Sequence, residues 1–105
     1  MKSFTLDGVK FIENTKIIKR RRLIGKFVPQ SKIYCLIART DSKFFRIVDV
    51  NYIEFNYIDK KVYSLLSYEN KVISTTDLNK VIFSANKDFL ENKLQEIKFT
   101  YDLFK

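Results

Sequence analysis

Short alternations of apolar and polar residues run through most of this chain, and only its C-terminal part changes period. Ser3-Phe4-Thr5-Leu6 and Val9-Lys10-Phe11-Ile12 flank the dipeptide Asp7-Gly8. Asp-Gly accepts the positive φ angles of a type I′ turn, so the segment predicts a short hairpin. Residues 31–38 read as a strand, and residues 39–43 as a polar turn. Residues 44–58 form a long run rich in Val, Ile, Phe and Tyr, with a bend or bulge at Asp49-Val50-Asn51. Asp59-Lys60-Lys61 turns the chain into a strand over 62–67, and Glu69-Asn70 leads to another over 71–74. A polar stretch, 75–80, precedes Val81-Ile82-Phe83. Beyond it, Leu90, Leu94, Ile97, Tyr101 and Phe104 recur at steps of 4, 3, 4 and 3, which is one stripe of an amphipathic helix over 85–104. Ser84 is the predicted N-cap, and Asp88 and Glu91 suit the N-terminal end of the dipole.

Residues 15–28 admit two readings. As a helix, Asn14 would cap the start, Gly25 would follow the end and Pro29 would lie beyond. As a strand, both faces would carry charge, as on an exposed or edge strand, and the density of β-branched residues favours this choice. The pattern as a whole predicts an α+β fold: a small antiparallel β-barrel or curled meander followed by one C-terminal amphipathic helix. The chain reads as a single domain, with a basic hairpin or extension over 1–31, the meander over 32–83 and the helix over 84–105.

Charge sharpens this picture. Residues 1–32 hold nine Lys/Arg against two acids, and residues 33–105 hold eleven against ten. Nearly all of the net charge of +8 therefore sits in the first third, centred on Lys19-Arg20-Arg21-Arg22. Such a block attracts phosphate or an acidic protein surface. Three of the five arginines are consecutive in a chain that otherwise prefers Lys. Arg suits phosphate because its planar fork can bond two oxygens. Lys16, Lys19, Arg20, Arg21, Arg22 and Lys26 are the candidate contacts to nucleic acid or an acidic partner. The plain competing reading is a solvated charged face.

The remaining chemistry is sparse. There is no histidine, which removes the commonest general base and metal ligand. The lone Cys35 has no His to activate it, sits within an apolar run and reads as a small core residue. Two glycines cannot build a Gly-rich phosphate loop. Asp49, Glu54 and Asp59 alternate faces and make no acid/base pair or ligand set. The chain is expected to be non-enzymatic and to need no cofactor. Tyr52, Tyr57, Tyr63 and Tyr68 could stack on unpaired bases, although strand tyrosines more often fill cores and cross-strand pairs. The chain shows no signal-peptide h-region and no run long enough to span a membrane, and its single cysteine suits the cytoplasm.

The strand at 32–37, the long strand after it, the following two-strand hairpin and the step Val81-Ile82-Phe83-Ser84-Ala85-Asn86-Lys87 into a helix together resemble small β-barrel-plus-helix accessory proteins of phages and mobile elements. The resemblance covers residues 32 to about 97 and leaves the basic segment outside it. The helix of that group often opens on paired Glu, where Asn86-Lys87-Asp88 stands here. The resemblance implies a non-enzymatic accessory role, for which inhibition of a CRISPR-type defence nuclease (an anti-CRISPR activity) is the most concrete version. The partner would be nucleic acid or a nucleic-acid-binding protein complex. A second expectation belongs to a different class: an oligomeric or structural interaction module, a homodimer for example. Its contacts would come from strand edges and the helix face, with Leu94, Phe99 and Leu103 as the apolar spots. A third is contact of residues 16–28 with an anionic membrane surface.

Overall fold

The computed structural model describes residues 2–39, 44–58 and 63–103, with the side chains of Lys19, Tyr101, Asp102 and Leu103 outside the description. Among the described residues, eight strands precede one helix: β1 (Ser3–Leu6), β2 (Val9–Lys19), β3 (Arg22–Pro29), β4 (Tyr34–Arg39), β5 (Phe44–Asn56), β6 (Leu65–Tyr68), β7 (Lys71–Ser74), β8 (Lys80–Ser84) and α1 (Lys87–Leu103). The 3-10 turn Thr75–Asp77 links β7 to β8. All pairings are antiparallel, and the order is β1-β2-β3-β5-β4-β8, with β6 on β5 and β7 on β6. The sheet curls into a half-barrel, which makes the molecule the α+β type that the pattern predicts. Strands from residues 1–31 belong to this same sheet, and Phe11 and Phe27 lie in its core.

Strand β5 organises the sheet because β4 pairs along its first half, whereas β3 and β6 pair with its second. Val50 faces Tyr68 while Tyr52 faces Ser67, so Asn51 is the extra residue of a bulge, at the bend the sequence predicts. The bulge has a use. Asn51 Oδ1 accepts the Asn70 N–H at 2.9 Å and the Ser67 hydroxyl at 3.4 Å, which fixes the β6–β7 turn against β5.

The core lies on the inner face of the curl. Cys35, Ile37, Val48, Ile53, Leu66 and Phe83 are buried there with Phe11 and Phe27. Aromatic edges lock the layer: Phe11 meets Phe83 at 5.2 Å between centroids and 74°. Cys35 is the small core residue its setting predicts, and burial pushes its thiol pKa up. Strand β4 is buried on both faces, because α1 covers the side away from the core. Leu36 and Leu90, both fully buried, meet the predicted helix–sheet packing, and Leu94 and Ile97 are half-buried on the same stripe.

Two expectations need correction, and one open alternative is decided. The N-cap of α1 is Asn86, not Ser84. Asn86 Oδ1 accepts the Phe89 N–H at 3.2 Å, and Ser84 Oγ instead accepts the Asn86 N–H at 3.0 Å. The helix thus starts two residues later than expected, with a cap worth about 1 kcal/mol. The helical alternative for residues 15–28 falls and the favoured strand reading holds: they are the ends of β2 and β3 and the turn between them. Gly25 and Pro29, which a helix would use as stop signals, are both strand residues. Finally, the strands expected over 31–38 and 62–67 run over Tyr34–Arg39 and Leu65–Tyr68. Of the turn expected over 39–43, Arg39 ends β4 instead, and the rest of it, the turn expected at 59–61, residue 62 of the 62–67 strand and Phe104 lie outside the described residues.

Candidate nucleic-acid interface

Strands β2 and β3 pair from Phe11↔Pro29 to Lys19↔Arg22, so the chain reverses on Arg20-Arg21 alone. Both residues have positive φ, 52° and 63°, as a two-residue type I′ hairpin requires. Neither is a residue type that favours this region; left-handed backbone costs about 1–2 kcal/mol per ordinary residue. The register explains why the turn forms there. Ile17 pairs with Ile24, Ile18 with Leu23 and Lys19 with Arg22, so the sequence is a near mirror about the turn. Any other register would place charge opposite apolar residues.

The expected basic block is not one patch. A bulge at Asn14, between Glu13↔Phe27 and Thr15↔Lys26, reverses the side-chain alternation of β2. Lys16 consequently points to the same face as Glu13. The two form an ion pair at 3.7 Å, in which the carboxylate is only 11% exposed. Tyr57 donates its hydroxyl to Glu13 Oε2, and the Lys2 and Lys16 ammoniums lie 4.6 and 5.8 Å from the Tyr57 ring centroid. Burial, then the hydrogen bond and the charge of Glu13, push the Tyr57 pKa up to about 12. Gly25 makes room for this ring: a Cβ there would stand 2.8 Å from the Tyr57 hydroxyl oxygen. Lys26 is on the opposite face, half-buried, with its ammonium 4.0 Å over the Tyr52 ring.

Lys16 and Lys26 are therefore engaged in holding the base of the hairpin to β5. Arg20, Arg21 and Arg22 occupy its tip, all exposed. Lys19 ends β2, next to the turn. The tip projects past its neighbours. Strand β1 accompanies β2 only over Val9–Ile12, and β5 accompanies β3 only as far as Ile24, with one further bond from the Tyr57 N–H to the Leu23 carbonyl at 3.2 Å. Ile17, Ile18 and Leu23, 41%, 81% and 38% exposed, lie on this projecting ribbon. The sequence reading singled out only the charged residues of this segment and passed over these three. Their mirror placement about Arg20-Arg21 was the available signal.

The other candidates are dispersed. Tyr68 is buried in the core, and Tyr63 packs edge-on against Phe83 at 5.7 Å, so neither offers a stacking face. Leu94 turns into an open groove between α1 and β5, of about 530 Å³, lined also by Phe45 and Ile47. Phe99 is 71% exposed, away from that seam. Leu103 ends α1, and its side chain lies outside the description. Among the described residues no three His, Cys, Asp or Glu side chains gather as a metal site, and no helix is long and apolar enough to cross a membrane. Compared with protein-family models, curated proteins and solved structures, the chain matches none of them.

Proposed function

We propose that this protein is a non-enzymatic nucleic-acid-binding protein whose contact is the tip of the β2–β3 hairpin. The observation that carries the proposal is the Arg20-Arg21 turn. A backbone that demands Asn or Gly holds two adjacent arginines instead, exposed and followed by a third. Strain of this kind persists where a side chain has another use. Arg20, Arg21 and Arg22 supply the phosphate contacts, Lys19 adds charge beside them, and Lys16 and Lys26 act by fixing the ribbon on Tyr57 and Tyr52. The remainder of the half-barrel is a rigid mount. That the bound nucleic acid belongs to a defence nuclease is a narrower form of the proposal, supported only by the resemblance of residues 32–97.

The test is binding to short DNA and RNA as a function of salt. Each neutralised phosphate contributes about 0.9 to the slope of log affinity against log salt on duplex DNA, so three contacts lose about 40-fold between 50 and 200 mM salt. The triple substitution Arg20/Arg21/Arg22→Ala is expected to flatten the slope by about 2.7 without lowering the melting temperature. An unchanged slope in that variant would refute the proposal.

A further inference from the structure

The charge of the hairpin tip is accounted for by the proposed phosphate contacts; its apolar residues are not. Ile18 is the most exposed large apolar side chain described, at 81%, and it sits two residues before the first arginine of the turn. Its cross-strand partner is Leu23, so the two share one face of the ribbon, while Lys19 and Arg22 share the other. A solubility feature would not put an isoleucine at its most exposed point. Strand β5 buries the base of the ribbon at Ile24, only 7% exposed, and leaves Ile18 beyond its reach.

We infer that Ile18 is a wedge, and that the ligand of the tip is duplex DNA entered from the minor groove. This rests on the nucleic-acid reading above. Proteins that enter the minor groove pair arginines with an apolar side chain pushed between base pairs, which unstacks one step and kinks the duplex. The parts present match that requirement: an exposed Ile one residue pair below the end of a projecting two-stranded ribbon, and three exposed arginines at its tip. A two-stranded ribbon is wider than the roughly 6 Å minor groove of B-DNA, so its entry requires the groove to open as the wedged step unstacks and kinks. An A-form RNA duplex fits less well, because its minor groove is wide and shallow. A lipid surface also fits less well. One largely exposed Ile with two partly exposed neighbours is a small apolar area, and stable anchoring takes more than one such signal. The wedge makes the protein sensitive to DNA deformability, and it should prefer a pyrimidine–purine step, the easiest to unstack.

The experiment uses the full chain and a 20-base-pair DNA duplex carrying end dyes and a 2-aminopurine beside a central TA step. The unmodified protein should bring the ends closer and raise the 2-aminopurine fluorescence. Ile18→Ser should abolish both signals while binding within about tenfold and keeping the salt slope, since unstacking offsets much of what the wedge contributes. Ile18→Leu should restore them. Salt-dependent binding of the unmodified protein with no bend and no unstacking would overturn the wedge and leave the nucleic-acid reading standing. Bending that survives Ile18→Ser would overturn it too. No binding to duplex DNA, with retention on vesicles containing 30% anionic lipid, would overturn both readings in favour of a membrane contact.

Discussion

The first and second hairpins of this protein share strand β2 and close with turns of the same geometry, yet they are built from opposite materials. The first turn is Asp7-Gly8, at φ 51° and 79°, and it is tied into the fold. Asp7 Oδ2 accepts the Phe83 N–H at 3.0 Å, so the start of the sheet is stapled to its last strand. The second turn is Arg20-Arg21, at φ 52° and 63°, and it projects from the fold. Where the chain needs only to reverse, it uses residues that tolerate the left-handed region. Where it keeps arginine under the same demand, it gives up stability that Asn-Gly would supply. The third hairpin turn, Glu69-Asn70, lies between these cases: its φ angles are 47° and 64°, and Asn51 holds it from the side. Turn chemistry thus separates a hairpin tied into the fold from one that projects from it on residues its backbone does not favour.

The largest expected effect tests whether the second hairpin is anchored at its base as firmly as the first is at its turn. Gly25→Val would drive a branched side chain into Phe27 and the Tyr57 ring, both 2.8–2.9 Å from a Cβ. Overpacking of this kind is expected to cost about 3 kcal/mol, read as a fall in the urea midpoint. A fall of less than a third of that would mean the base is not held by Tyr57. Next comes the first turn. Asp7→Ala leaves the Phe83 N–H without its carboxylate and is expected to lose about 2 kcal/mol. Amide exchange at Phe83 should accelerate, and unaltered exchange there would show that the staple does not form.

The third substitution exchanges one turn for the other. Arg20→Asn with Arg21→Gly should raise stability by about 1 kcal/mol, because both new residues accept positive φ. The same variant should bind nucleic acid at least tenfold more weakly at low salt, from the loss of two phosphate contacts. Higher stability with undiminished binding would make the arginines a strained ornament and remove the contrast between the turns. The smallest effect concerns pH. Tyr57 has its pKa raised from 10.0 to about 12 in the folded protein. The folded state therefore holds a proton that the unfolded chain releases. Stability from this group is complete below pH 10 and is lost as the pH rises through about 12. Tyr57→Phe should remove part of the alkaline loss of stability. Identical alkaline profiles for the two proteins would place the loss at other groups, such as Tyr63, whose pKa burial also raises.

Much of the fold was legible because local signals agreed with one another. Asp7-Gly8, Lys71–Ser74, the bulge beside Val50 and the stripe through Leu90, Leu94 and Ile97 each state their structure within a few residues. Turn propensity, alternation and helical period are short-range effects, so the sequence carries them openly. The segment 15–28 was not decided by such signals, because Gly25 and Pro29 suit a helix end as well as a strand. Contact with β5 settled it, and it also gave Gly25 its purpose as the floor beneath Tyr57.

The candidate site divides along the same line. The sequence alone determined that charge concentrates in the first third, that the chain lacks histidine, and that the run of arginines is unusual for its composition. Only the tertiary structure decided which basic residues face outward. Asn14 is a single extra residue, yet as a bulge it reverses every side chain after it, sending Lys16 onto Glu13 and Tyr57. Contacts of high sequence separation, Glu13 with Tyr57 across β3 and Lys26 with Tyr52, then take two of the six candidate residues into the scaffold. Composition fixes how much charge a segment carries, but the direction of each side chain depends on register and on where the neighbouring strand ends. Here β5 ends its pairing at Ile24, and that limit leaves Ile18 and the three arginines exposed at the hairpin tip.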